Sequence, residues 1–115
     1  MNIEIFRDYC LAKPGVTEGF PFDETTLVFK VLGKMFALTD VDGDFSVNLK
    51  CDPEKAIRLR EEYPSIRPGY HMNKKHWNTI DMDGSMPDKL VFQLTDHSYE
   101  LVVKKMPKSK QKELE

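Results

Sequence analysis

Thr26-Leu27-Val28-Phe29-Lys30-Val31-Leu32 and Gly33-Lys34-Met35-Phe36-Ala37-Leu38-Thr39 run into Asp40-Val41-Asp42-Gly43-Asp44, and then into Phe45-Ser46-Val47-Asn48-Leu49-Lys50. The first segment is rich in β-branched residues and reads as a strand. Gly33-Lys34 makes a tight turn into a second strand. Asp42-Gly43 tolerates positive φ and reads as a hairpin turn. Beyond it, Phe45, Val47 and Leu49 alternate with Ser46, Asn48 and Lys50, a period of two that puts one face on a core and the other in water. Three consecutive strands thus form an antiparallel meander.

The flanks supply the helices. Asn2 caps a first helix over about residues 3–13, with Ile3, Phe6 and Cys10 at helical spacing. Pro14-Gly15 ends it. Val16 to Asp23 reads as a loop whose Phe20 and Phe22 plug an edge of the core. Asp52-Pro53 starts a second helix, Asp as N-cap and Pro at the first position, with Ala56, Leu59 and Tyr63 as its buried stripe. Strands are expected over about 66–72 and 77–82, with a turn at Asp83-Gly84. A terminal helical region starts at Ser85 or Asp88. Thr95-Asp96-His97-Ser98 predicts a break inside it, because such side chains compete for backbone groups. The order is α-β-β-β-α-β-β-α: a two-layer α+β domain, with an antiparallel sheet of about five strands and helices on one face. One domain spans 1–115, with a Lys-rich tail from about 107.

Net charge is −2 and the pI near 5.9; a protein that grips duplex DNA by neutralising phosphates is usually basic overall, so the global balance argues against dedicated DNA binding. The charge is uneven: residues 1–66 hold 8 Lys/Arg and 12 Asp/Glu, residues 67–115 hold 9 and 7. Lys104 to Lys112 contains five Lys and no acid, and reads as a solvated terminus, or with Lys74 to Trp77 as a local basic face for nucleic acid on an acidic whole. Cys10 and Cys51 have no CxxC partner and read as reduced cytoplasmic thiols. Glu4, Arg7 and Asp8 break any apolar run at the N-terminus, so no signal peptide is read there. No apolar stretch approaches the roughly 20 residues of a membrane span, so no membrane partner is expected.

Chemistry-bearing residues concentrate in Pro68-Gly69-Tyr70-His71-Met72-Asn73-Lys74-Lys75-His76-Trp77-Asn78. Arg67, Lys74 and Lys75 could meet phosphates, while Tyr70, His76 or Trp77 stack on a base or fill a partner's pocket. The structural alternative puts Trp77 in the core and the two lysines on a solvated loop. A small-ligand pocket could form near Tyr70, His71, Trp77 and His97. His71 and His76 lack the thiolate or carboxylate company of a metal site, so no metal is expected. Asp40 to Asp44 opens like a calcium loop, but Phe45 and Cys51 stand where Gly and Glu are required. No phosphate loop, paired carboxylates or nucleophile motif is present, so neither catalytic residues nor a cofactor is expected.

The chain resembles the MmcQ/YjbR family of small bacterial proteins. Three stretches carry the likeness: Phe20-Pro21-Phe22 with Val28 to Val31 and Gly33 to Leu38; Asn48 to Pro53 with Pro68 to Asn78; and Ser98 to Val102 with Met106-Pro107-Lys108. The resemblance implies a compact fold similar to the frataxin-like and secretion-chaperone-like folds. It implies DNA binding through a double-wing arrangement, with Lys74, Lys75, His76 and Trp77 in the contact region. The chaperone likeness implies instead an adaptor that docks a protein client. No catalytic residues come with the family.

Overall fold

The computed structural model describes residues 1–69 and 72–115. The chain runs α1 (Ile3–Leu11), β1 (Val16–Gly19), β2 (Thr26–Val31), β3 (Lys34–Asp40), β4 (Ser46–Lys50), α2 (Pro53–Glu62), β5 (Ile66–Pro68), β6 (Trp77–Asp81), α3 (Asp88–Lys104) and α4 (Lys108–Lys112). One antiparallel sheet has the order β1-β2-β3-β4-β6-β5. The expected α+β layering and element order hold. The sheet has six strands because Val16–Gly19, read as loop, pairs with β2 from Val16 opposite Val31 to Gly19 opposite Val28. Only two of its residues are even half-buried, so the alternation that betrays a strand is missing.

All three long helices cover one face. Phe6 and Cys10 of α1, Ala56 and Leu59 of α2, and Val91, Leu94 and Val102 of α3 share one core cluster with Leu27, Phe29, Val31, Phe36, Val47, Leu49 and Ile80. The Phe6 and Phe29 rings meet edge to face at 5.9 Å, as the aromatic quadrupole favours. The Asn2 and Asp52 side chains accept from the amides of Ile5 and Lys55, as expected of N-caps.

α3 is continuous over 17 residues, with no break at Thr95–Ser98. Each polar side chain there is satisfied elsewhere. The Thr95 hydroxyl donates back to the Val91 carbonyl at 2.8 Å. The fully buried Ser98 hydroxyl donates to the Phe36 carbonyl at 2.5 Å and accepts from the Lys50 amide at 2.9 Å. The β3–β4 ladder ends at Ala37 opposite Leu49, so Ser98 bridges the strands beyond their last registered pair. The Asp96 carboxylate accepts from the Tyr9 hydroxyl at 2.6 Å and pairs with Lys13, tying α3 to α1.

Two turns and the C-terminal tail differ from expectation. The β2–β3 turn centres on Leu32-Gly33, both at positive φ (47° and 84°), as a primed turn requires. The β3–β4 connection spans residues 41–45, longer than a two-residue turn, with the Asp42 amide donating to the side chain of Asp40 at the end of β3. The Lys-rich tail is not a loose terminus: α4 buries no residue, but Leu114 packs on the core beside Leu32 and Gly15. Phe20 and Phe22 plug nothing; they are 49% and 66% exposed.

Ser98→Ala strands a buried carbonyl and a strand amide while removing only one oxygen. It should lower unfolding stability by about 2 kcal/mol, read as a fall in urea midpoint at unchanged slope. A change within error would mean that water satisfies both groups.

Candidate functional site

The register sorts the charges along the strands. At one end Thr26 lies opposite Asp40 and Ser46 opposite Asp81, close to Asp23, Asp42, Asp44 and Asp83. At the other, Lys30 lies opposite Met35, Lys34 opposite Val31 at the start of β3, and Lys50 opposite Trp77. The Lys74-Lys75 loop leads directly into Trp77, so it joins the cationic end.

That loop is built to display lysines. The Asn73 side chain accepts from the Lys75 amide at 2.9 Å, and its carbonyl accepts from the Trp77 amide at 3.0 Å. The Cys51 amide donates to the His76 carbonyl at 2.7 Å, stapling the loop to the start of α2. Arg60 of α2 clamps the base: its guanidinium donates to Asn78 Oδ1 at 2.6 Å, to the Trp77 carbonyl at 3.2 Å and to the Lys74 carbonyl. Lys74 and Lys75 stand exposed at the tip, and His76 is half-buried.

Trp77 is buried, 8% exposed, and does not offer a stacking face. Its backbone carbonyl accepts from the Gly69 amide at 2.8 Å, and a Cβ on Gly69 would sit 2.8 Å from the Trp77 Cβ. The absence of a side chain at Gly69 is what lets the two strands close here. Arg67 is engaged too, in a two-pronged pair with Asp81 at 2.8 Å on both bonds. This pair raises the Arg67 pKa further, chiefly through the hydrogen bond to Asp81. Tyr70 and His71 lie outside the described residues. His97 accepts from the Asp52 amide at 3.2 Å, at the start of α2. Burial, then Lys55, lowers its pKa.

The remaining chemistry is inert or was hidden in the sequence. Burial pushes the Cys10 thiol up to about 12 and also raises Cys51, opposite to what a nucleophile needs. Two large clefts open on the surface of the described residues. One, of about 800 Å³, lies on the helix-free sheet face, with Phe22, Met35, Leu38, Asn48, Arg67 and Thr79 in its wall. The other, of about 620 Å³, lies at the cationic end, with Lys34, Lys50, Lys105 and Lys110 around it. Lys105 and Lys110 belong to the Lys-rich run Lys104 to Lys112, while Lys34 and Lys50 come from two strands; the fold brings the run and the strands together.

A family model described as YjbR matches residues 11–101. The chain belongs to the YjbR family. It is 38% identical over 113 residues to Uncharacterized protein YjbR of Escherichia coli K12, covering 97% of this chain and 96% of that one. It is 38% identical over 76 residues to Uncharacterized protein YyaQ of Bacillus subtilis, covering 65% and 63%. The crystal structure of Deinococcus radiodurans protein DR2400, a DUF419 domain, superposes with a TM-score of 0.92 at 48% identity, covering 98% of this chain and 87% of that one. A Pseudomonas syringae protein superposes at 0.75 with 30% identity, covering 88% and 98%. These solved relatives share the frame on which the loop and both clefts are mounted.

Trp77 emission in the folded protein should be blue-shifted. Gly69→Ala forces the Trp77 Cβ contact apart and should shift the emission to the red and lower the melting temperature. An unchanged spectrum would show that the 68–77 segment adapts without moving the indole.

Proposed function

We propose that the protein is a non-catalytic binding module of the cytoplasm that meets the phosphate backbone of DNA along the cationic end of its sheet. One observation carries this reading. The Lys74-Lys75 loop and the separately derived Lys30, Lys34, Lys50, Lys105 and Lys110 converge on one end, while Asp23, Asp40, Asp42, Asp44, Asp81 and Asp83 gather at the other. A net charge of −2 then orients the protein instead of repelling it, because the acidic end points away from the polyanion. Backbone contact needs only displayed ammonium groups, and Lys74 and Lys75 are held out by the Asn73 turn and the Arg60 clamp. Buried Trp77 and paired Arg67 act in this scheme as supports, not contacts. The free, buried cysteines suit a reducing compartment. Among the described residues, no helix is long and apolar enough to cross a membrane.

A titration of short duplex DNA at several salt concentrations tests this. Affinity should fall steeply with salt while Trp77 emission stays constant. Lys74→Ala/Lys75→Ala should flatten the log–log slope by about 1.8, at roughly 0.9 for each phosphate neutralised. A slope that the double variant leaves untouched would sink the reading.

A second reading, docking of a protein client, is favoured by the helix-free face, where the strongly exposed Phe22 borders the 800 Å³ cleft. On that reading a peptide array should retain extended segments with one apolar anchor, and Phe22→Ser should release them without changing DNA affinity. Equal retention by both proteins would exclude this face.

A further inference from the structure

The cleft at the cationic end is lined at its base by Leu32, Met35, Val102 and Met106, and at its rim by Lys34, Lys50, Lys105 and Lys110. Its volume of about 620 Å³ falls in the range of small-molecule sites. Among the described residues, no carboxylate lines it. Among those residues too, Lys110 pairs with Glu113 at 3.5 Å, while Lys34, Lys50 and Lys105 form no ion pair. Lys105 stands at the C-cap of α3, where the helix dipole favours a cation, so its place is explained. Lys50 has no such compensation. It is half-buried, and burial together with the neighbouring Lys105 charge lowers its pKa. A fold that holds two cations together over an apolar floor leaves a strong site for a compact anion.

We propose that this cleft binds a phosphate monoester carried on an apolar body. The dianionic head sits between Lys50 and Lys105, and the body lies on Leu32, Met35 and Met106. A monoester dianion matches two ammonium groups, whereas a nucleic-acid diester brings one charge and a chain that cannot leave its phosphate on an apolar floor. The ammonium is the fitting partner, since it binds phosphate as a point charge from any direction. The cleft shares its rim lysines with the proposed DNA face, but the Lys74-Lys75 loop takes no part in lining it, so that loop separates the two readings.

The probe is 1-naphthyl phosphate, titrated into the full chain by calorimetry, with inorganic phosphate and 1-naphthol as its two separated halves. One equivalent should bind about tenfold or more tightly than either half. Lys50→Met, which keeps the aliphatic stem, should weaken binding about tenfold. Lys105→Met, an exposed change, should do the same and serves if the first variant folds poorly. Lys74→Ala/Lys75→Ala should leave naphthyl phosphate binding unchanged even as it weakens DNA binding, so the two proposals fail separately. In methyl-labelled protein the Met35 and Met106 signals should move and the Met86 signal stay. Binding no tighter than inorganic phosphate would overturn the proposal in favour of a general polyanion surface. Equal binding of 1-naphthol would overturn it in favour of a purely apolar cleft.

Discussion

The hydroxyl of Ser98 is the joint on which the two layers depend. β3 and β4 part after Ala37 and Leu49, and there the buried side chain of α3 enters between them, giving a hydrogen to Phe36 and taking one from Lys50. A sheet can be covered by a helix in many registers if only apolar contact holds them. One buried polar group with two backbone partners removes that freedom, because any slide leaves donors and acceptors unpaired in a low-dielectric interior. The same bond fixes the backbone of Lys50, whose side chain borders the cationic cleft. Fold specificity and site geometry are therefore set by one oxygen.

That bond also explains where the sequence misleads. Thr95-Asp96-His97-Ser98 carries every local sign of a helix break, and in isolation those side chains would compete with the helix. In the folded chain Thr95 bonds back to Val91, Asp96 takes Tyr9 and Lys13, His97 takes the Asp52 amide, and Ser98 serves the sheet. Tertiary partners override the local preference. The meander, both N-caps and the α2 stripe were legible because each rests on a short-range rule: alternation, a cap oxygen, a helical period. β1 was not, since an edge strand with an exposed Thr17-Glu18 shows no alternation. The tail looked solvated because its lysines are; the anchor is the single Leu114, seated against a glycine whose side-chain space it occupies.

The candidate site was legible in part, and for an instructive reason. The aromatic and cationic segment at 67–77 drew attention by composition. Its conspicuous members, Arg67 and Trp77, are spent on the fold, one in a pair with Asp81 and the other beneath Gly69. Its plain members, Lys74 and Lys75, are the displayed ones. Arg60, which clamps the loop, lies 14 residues before Lys74 and reads in the sequence as one more charge on a helix. Lys34 and Lys50 lie far in sequence from each other and from the Lys-rich run that holds Lys105 and Lys110. Such a cluster is a property of register, and register follows from pairings that no local pattern encodes.

Net charge is a poor guide here for the same physical reason. Antiparallel pairing places the β2 end carrying Lys30 beside the β3 start, and the β2 start beside Asp40, so charges near chain reversals collect by end and not by position in sequence. The sum over the molecule is small although the two ends of the sheet differ in charge. At distances beyond the Debye length of about 8 Å a partner sees little of either, but at contact it meets one end alone. A phosphate-bearing partner approaching the Lys34–Lys50 end is not screened by carboxylates at the far end of the sheet, and the acidic end limits how it can lie. An uneven charge distribution lets a protein acidic overall present a cationic surface at one end of its sheet.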